Sequence, residues 1–517
     1  MIDTKALRQK VLDLAIRGKL VPQNPNDEPA VVLLERIRKE KQKLVKEGKL
    51  KAKDIKNDTV IFKGEDNLNY EKFFDGSVKC IEGEIPFELP EGWAWTRLGV
   101  AFSTVTGSTP STKDSSLYGN DYPFYKPTDL DAGFEVYHSE DSVSERGYLS
   151  GRSLPDKSVL VTCIGATIGK TGYIRNTGIC NQQINAILPI EEVSSEYIYF
   201  CMCSEFEQRQ IWTNSSATTL PILNKSKFEN LLLPIPPKGQ QMAIVSEIKE
   251  LLSFVEIIRK EKSTLQETIK TAKSKILDLA IRGQLVPQNS NDEPAAVLLE
   301  RIRLEKEELI KQGKIKRDKK ESIIFKGEDN SYYEKIGDKV ENINAEIPFD
   351  LPEDWAFFRL KEIWELISGR DLSPSEYNAD GIGVPYITGA SNFIDGKVEI
   401  VRWTDSPQVV TEFGDLLLTC KGTIGEMVFN DFGTAHIARQ IMAVRNIYNL
   451  NSKYLAFCME FYIHKIKDAA KGLIPGISRE DILNLILPTP PEQYQRQVVL
   501  RVEEINRILS LIEKKLG

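Results

Sequence analysis

A chain of 517 residues, 41% hydrophobic and 28% charged, holds enough apolar material for several ordinary domains. No run of 18 apolar residues occurs, which excludes a helix that spans a membrane. Seven cysteines with no CxxC pair and three dispersed histidines (His138, His436, His464) argue for reduced thiols and against a zinc site, and a net charge of −7 speaks against a nucleic-acid partner for the chain as a whole, though not for one face of it.

The chain opens on "MIDTKALRQKVLDLAIRGKL", an amphipathic stretch without the small-residue cleavage site of a signal peptide. A lysine-rich helical stretch follows over 28–58, with Leu33, Leu34, Ile37, Leu44 and Val45 on one apolar side. Its charged side reads as a solvated face, or as a surface that docks a partner or tracks a DNA backbone. "EIPFELPEGWAW" then leads into a globular segment. Within it, "TCIGATIGKTG" at 162–172 imitates a phosphate-binding loop. Only three residues separate Gly165 from Gly169, one too few for the arc of backbone N–H groups that surrounds a phosphate. The residues beyond are β-branched and predict strands, not the helix such a loop should open.

Past "LLLPIPP" (231–237) comes a helix with heptad spacing: Ile244, Ile248, Leu251, Val255 and Ile258, then Leu265, Ile269, Ala272, Ile276 and Leu279, interrupted by Lys262. From there the chain repeats itself. "VLDLAIRGKLVPQNPNDEPAVVLLERIRKEK" (11–41) returns as "ILDLAIRGQLVPQNSNDEPAAVLLERIRLEK" (276–306), and a second lysine-rich stretch covers 293–321. "IFKGEDN" recurs, and "EIPFDLPEDWAF" opens a second globular segment. The copies diverge for about 70 residues, then rejoin: "LLLTCKGTIGEMVF" answers "VLVTCIGATIGKTGYI", "ARQIMAV" answers "NQQINAI", and "LILPTPP" answers "LLLPIPP". Where the first copy has Lys170 the second has Glu426, so the shared element is a strand-to-strand turn and no phosphate cradle. The C-terminal stretch carries Val498, Val502, Ile505, Leu509, Ile512 and Leu516 in the same heptad phase. Residues 4–18 match 269–283, so the tail and head together rebuild nearly one central helix. This predicts a pseudo-two-fold repeat in which two long helices pair as an antiparallel coiled coil, rather than two unrelated amphipathic helices. From 244 to 279 the coil would run ~50 Å at ~1.5 Å per residue. Two similar but divergent heads held by a ruler suit a target read at two separated places, as symmetric DNA readers do.

The chain resembles the specificity (S) subunit of Type I restriction-modification systems over essentially its whole length. The likeness rests on "LAIRGKLVPQNPNDEPA", "IPFELPEGWAWTRLG", the two TC-turns and the "LPIPP" and "LPTPP" entries to the long helices. It implies two α/β target-recognition domains (86–236 and 348–490), joined by the family's conserved helices. These are an N-terminal helix with its lysine-rich helical linker (1–85), the central helix (237–283), the repeated linker (284–347) and the C-terminal helix (491–517). The resemblance also implies a non-catalytic cytoplasmic subunit of a bacterium or archaeon. It would read a bipartite, gapped site in double-stranded DNA and direct adenine methylation and restriction by others. The partners implied are methyltransferase (M) subunits, two of them, and motor-nuclease (R) subunits, which would carry S-adenosylmethionine, ATP and Mg. The residues agree so far as "LPIPP" places leucine where an amino-methyltransferase motif needs an amide or carboxylate.

Residues that donate and accept at base edges and phosphates cluster in the divergent segments. In the first head these are Thr106, Gly107, Ser108, Thr109 and Lys113, then Tyr125, Lys126, Thr128 and Asp129. The second offers Gly369, Arg370, Thr388, Gly389, Ser391 and Asn392, with Arg370 suited to guanine and Asn392 to adenine. Lys170, Lys421 and Arg439, near the shared turns, are candidate phosphate contacts. Both heads are acidic: 86–234 holds 11 Lys and Arg against 17 Asp and Glu, and 348–488 holds 13 against 19, a net −6 each. The isolated chain is therefore expected to bind DNA weakly, and tightly only when basic partners close around the duplex. A coiled-coil scaffold for protein or glycan is the competing reading and predicts no effect of DNA sequence. A nucleotide-dependent enzyme built on "GATIGKT" is the third.

Overall fold

The computed structural model describes residues 3–48, 55, 58–216, 220–315, 317, 321–469 and 476–516, the side chains of 464–469 excepted. The lysine-rich stretches 49–54, 56–57, 316 and 318–320 thus lie outside the described residues. The chain divides into two compact units, 2–262 and 263–517. One helix of 44 residues, Lys238–Ile281, crosses the division.

Each unit is built on the same frame, and the repeated motifs are its joints. Asp3 caps helix Thr4–Ile16, and "IRG" ends it: Gly18 adopts φ +65°, Gly18 N–H donates to Ala15 O and Lys19 N–H to Leu14 O. The second copy repeats this at Gly283 (φ +73°), with Gln284 N–H donating to Leu279 O. Neither glycine tolerates a side chain, because an added Cβ would lie 2.5 Å from Pro90 Cγ or 2.7 Å from Pro352 Cγ. The "VPQN" glutamines accept from the tryptophans of the "WAW" and "WAF" motifs: Trp93 Nε1 to Gln23 (2.9 Å) and Trp355 Nε1 to Gln288 (3.1 Å).

The lysine-rich helices are Ala30–Lys46 and Ala295–Lys311. Leu33, Leu34 and Ile37 are buried, and Leu44 and Val45 half-buried. The charged side is not wholly solvated. Lys41 turns inward and donates to the carbonyls of Gly99 and Val100, and its counterpart Lys306 pairs with Glu321 (3.0 Å) and Glu362 (3.2 Å). Each helix is followed by a three-stranded antiparallel meander that the lysine-rich composition concealed, Val60–Lys63, Asn69–Lys72 and Val78–Cys80 in one unit, Ser322–Lys326, Tyr332–Ile336 and Lys339–Asn342 in the other. An arginine latches each meander to its head. Arg97 donates to Glu71, Glu84 and the Asn230 carbonyl, and Arg359 to Glu334, Glu346 and the Asn484 carbonyl.

Each head mixes helix and sheet. It begins and closes on one antiparallel strand pair, Ala94–Arg97 with Leu232–Ile235 and Ala356–Arg359 with Ile486–Thr489. Between them lie two sheets. In the first head the order is Thr104–Thr106, Ile184–Ile187, Val159–Thr162, Thr171–Tyr173, all antiparallel. Beside it Tyr118–Tyr125 pairs in parallel with Ile179–Cys180 and antiparallel with Asp141–Val143. The second head repeats the plan with Trp364–Ser368, Ile441–Asn446, Leu416–Thr419 and Met427–Phe429, and with Val384–Ile387 parallel to Ala435–Ile437.

The long helices run antiparallel to their partners within each unit. Tyr494 hydroxyl donates to Val286 O and Lys273 pairs with Glu513, so numbers rise along one helix as they fall along the other. In the other unit Leu12 and Ile16 share a core with Ile244, Val245 and Ile248, while Arg8, earlier in its helix, acts on Glu256, later in its own. Of the predicted seam, Ile244, Ile248, Ile269, Val498 and Val502 are buried. Leu251, Val255, Ala272, Ile276, Leu279, Ile505, Leu509 and Leu516 are half-buried. Ile258, Leu265 and Ile512 are corrections: each is 37–40% exposed and belongs to none of the buried apolar clusters of the described residues. Where the helices do meet a globular core, the buried stripe widens to include Val245, Leu277, Ala280, Ile281 and Val499.

Candidate nucleic-acid interface

The "TC-turns" join antiparallel strands in both heads. Thr162 N–H donates to Lys170 O and Gly169 N–H to Thr162 O; Thr419 N–H donates to Glu426 O and Gly425 N–H to Thr419 O. Strand Thr171–Tyr173 follows the first turn where a phosphate loop needs a helix.

Beside each turn a glycine brings two backbone segments into close approach. Gly107 N–H donates to Ile184 O (2.9 Å) and Ser108 N–H to Cys180 O (2.8 Å). Gly369 N–H donates to Ile441 O (3.0 Å) and Arg370 N–H to Ile437 O (2.9 Å). A Cβ on Gly107 would lie 2.1 Å from Asn181 O, and one on Gly369 2.1 Å from Ala438 O, so these positions require glycine for space. The facing residues are the "NQQ" and "ARQ" triplets, themselves anchored to the turns by Cys163 N–H to Gln183 O (2.7 Å) and Cys420 N–H to Gln440 O (2.8 Å). The frame thus gathers, in each head, the loop after the first sheet strand, the triplet and the turn.

Several candidate residues meet here. In the first head Thr106 hydroxyl donates to Asn185 (2.7 Å), Thr109 hydroxyl to Gln182 (2.5 Å), and Arg152 reaches the Thr106 carbonyl (2.6 Å). In the second, Arg370 is exposed, and Arg439 pairs with Asp371 at 2.7 Å while its N–H donates to the same carboxylate. Ser108 is half-buried; Lys113, Thr128, Ser391 and Lys421 are exposed. Gly389 is buried against Gln440.

Two candidates are corrected by burial. Tyr125 is fully buried and its hydroxyl donates to Asn176 O, so it is part of the core of strand Tyr118–Tyr125. Asn392 is 2% exposed: its oxygen accepts from Thr388 N–H, Thr388 hydroxyl and Gly389 N–H, and its amide donates to Glu399 O. Its oxygen is taken up in closing the turn and the side chain is buried, so it is not presented to an adenine edge. Asp129 is half-buried and accepts one bond on each oxygen, from Lys126 N–H (2.6 Å) and Glu140 N–H (2.9 Å). Three of the candidate cations are already neutralised, Lys126 by Asp141, Lys170 by Asp131 (2.6 Å) and Arg439 by Asp371.

Three contributors were not among the candidates: Gln182, Asp371 and His436. The first two act through partners 73 and 68 residues away in sequence. His436 is buried in strand Ala435–Ile437. Its Nδ1 accepts from Gln408 and Val409 N–H, leaving Nε2 to donate to Arg370 O at 2.8 Å. Burial lowers its pKa, so the neutral ring props the Gly369–Arg370 loop.

The seven cysteines are free, and burial pushes the Cys163 thiol up to about 12, far from a reactive thiolate. Among the described residues no group of three or more His, Cys, Asp and Glu is placed to hold a metal ion, and no helix is long and apolar enough to cross a membrane.

Comparison with known proteins bears on this frame directly. A family model described as "Type I restriction modification DNA specificity domain" matches twice, over 90–267 and 352–516. The chain is 26% identical to the Type I restriction enzyme EcoEI specificity subunit of Escherichia coli, over 99% of this chain and 90% of that one. It is 24% identical to the EcoAI specificity subunit of the same organism, over 97% and 88%. Among solved structures it shares its fold with a chain from work on complex assembly and conformational transition of the type I R-M system (TM-score 0.63, 19% identity, 83% of this chain and 94% of that one). It likewise resembles the HsdS subunit from Thermoanaerobacter tengcongensis (TM-score 0.51, 19% identity, 84% and 94%). With two thirds of its length matched by the model, in two copies that coincide with the two heads and their helices, this chain belongs to the Type I restriction-modification DNA specificity family.

Proposed function

We propose that this chain is the DNA-reading subunit of a Type I restriction-modification complex in the cytoplasm of a bacterium or archaeon. Each head, 86–236 and 348–490, reads one half of a bipartite, gapped site in double-stranded DNA. The chain itself carries out no chemistry. Adenine methylation and restriction belong to two M subunits and to R subunits, which bring S-adenosylmethionine, ATP and Mg. The observation that carries this reading is one backbone frame, built twice, that presents different exposed side chains in each copy. A fold that only supported partners would have no reason to vary there while keeping its buried joints.

Within this reading Lys113 and Thr128 contact DNA from the first head, Thr109 lies on the same loop as Lys113, and Arg370, Ser391, Lys421 and Arg439 contact DNA from the second. Lys126 and Lys170 serve as phosphate contacts once their carboxylate partners give way. Thr106, Gly107, Ser108, Gly369, Thr388 and Gly389 shape the loops that carry these contacts. The net −6 on each head means that phosphate attraction must come from the assembled partners.

The test is single-molecule methylation mapping of DNA from cells that express the chain with and without an M subunit. An asymmetric gapped motif that needs both is the expected result. A soluble complex that leaves no gapped motif refutes the reading. Nanomolar DNA binding by the purified chain alone at physiological salt refutes the electrostatic part.

A further inference from the structure

The two heads place a pair of side chains at equivalent points of the shared frame. Counting from the close-approach glycine, Thr109 and Asp371 occupy the same position, two residues on. Counting along the triplets, Gln182 and Arg439 both hold the middle place. In each head these two positions touch: Thr109 hydroxyl donates to Gln182 at 2.5 Å, and Arg439 pairs with Asp371 at 2.7 Å. The backbone beneath is the same in both, with matching hydrogen bonds from the glycine, its successor and the turn cysteine. The residue next to the variable one, Gln183 or Gln440, is the same type in both copies. What changes is the exposed pair, and it changes as a pair. In the first head the pair is neutral, hydroxyl on carboxamide, and in the second it is charged, guanidinium on carboxylate.

Stability does not account for this. All four side chains are exposed, and an ion pair in solvent contributes little. What each pair does is fix the direction of a long planar group. Guanidinium and carboxamide are the two side-chain groups that read guanine and adenine edges in bidentate fashion. We infer that, within the DNA-reading role proposed above, Gln182 and Arg439 are specificity-determining residues that touch base edges, one in each half-site. Thr109 and Asp371 are their positioning residues. Arg439 reads a guanine and Gln182 an adenine. Arg439 is thereby a base contact, where its place beside the turn had suggested a phosphate contact.

The experiment exchanges the pairs in the full chain, assembled with its methyltransferase subunits, and maps the methylated motif. The variant Asp371→Thr with Arg439→Gln should change one base pair of the second half-site from G·C to A·T and leave the first half-site and the gap unchanged. The reciprocal Thr109→Asp with Gln182→Arg should change the first half-site alone. Arg439→Lys keeps a cation beside Asp371 but loses the planar fork, so discrimination at that base pair should fall on the order of 10-fold or more while its neighbours hold. An unchanged motif in a double exchange that assembles and methylates overturns the assignment, since it shows pairs that only brace the loop. Where a double exchange does not assemble, unchanged discrimination in Arg439→Lys overturns it equally. Absence of any gapped motif from the unaltered chain instead refutes the DNA-reading role itself.

Discussion

Replacing Arg97 with alanine should loosen the first meander by about 3–5 kcal/mol. Arg97 is 8% exposed and donates to Glu71 at 3.1 and 2.7 Å, to Glu84 at 2.7 Å and to Asn230 O at 3.2 Å. Glu84 is 39% exposed, so solvent takes over much of that contact and it adds little. Glu71 is different. At 5% exposure it would keep only the Thr59 hydroxyl (2.6 Å), a buried carboxylate without its counter-charge. That uncompensated charge sets the magnitude. Burial by itself raises the Glu71 pKa, but the bonds from Arg97 and Thr59 outweigh it and hold it below the ordinary value. The stabilisation is therefore present above the carboxylate's unfolded pKa and lost as pH falls through the depressed folded one. The difference between Arg97→Ala and the parent chain should close in acid. Native-state hydrogen exchange of the Val60–Lys72 amides measures this locally, without requiring the whole chain to unfold in one step. The second copy is an internal replicate: Arg359→Ala, which strips Glu334 of bonds at 3.1 and 2.7 Å, should show the same loss at Ser322–Ile336. A loss under about 1 kcal/mol in both copies would refute the reasoning, because a latch so cheap to break would not be holding a buried charge.

Gly107→Ala should cost about 3 kcal/mol or more, since the new methyl would meet backbone oxygens at 2.1 and 2.3 Å that cannot swing aside; urea unfolding of the variant that matches the parent would show the frame to be soft. Glu207 is fully buried beside Cys201 and Gln210, and burial raises its pKa well above 4.5. Its stabilisation is complete below the unfolded pKa and is lost as pH rises through the folded one. Glu207→Gln should therefore flatten the alkaline fall in Tm, and an unaltered slope above the unfolded carboxylate value would show that another group governs it. His436, with its pKa lowered by burial, acts in the opposite direction: stability present above the unfolded value near 6.5 is lost as pH drops toward the folded one. Lower protection factors for the Arg370 and Leu372 amides are expected as pH falls below the unfolded value, and protection factors that stay level through the acid loss of stability would contradict the propping role.

The repeat, the turns and the ends of the helical seam were legible because they rest on pattern alone: near-identical strings, glycine spacing, a heptad phase. The meanders were not, because strands of three to five residues among lysines and glutamates give no sustained alternation. Misreading Tyr125 and Asn392 had a common cause. Both sit in polar, turn-rich strings that look like exposed loops, while their burial is decided by Asn176 and Glu399 folding back onto them. Asp371 and Gln182 escaped notice for the complementary reason, since neither acquires a role until a distant strand brings its partner alongside.

The strand pair that opens and closes each head has a consequence for how such chains can change. Leu98 N–H donates to Leu231 O, and Leu360 N–H to Leu485 O, at the inner end of each strand pair, so more than a hundred residues leave and return side by side. The head is a cassette in a fixed doorway. A replacement must bring its ends together at roughly the 5 Å spacing of neighbouring strands, and must also supply the apolar side that packs on the helices outside, as Val161, Tyr197 and Ile198 do on Leu12, Ile16 and Ile244. New content can thus be tried wholesale, in either half, while the socket stays as it is.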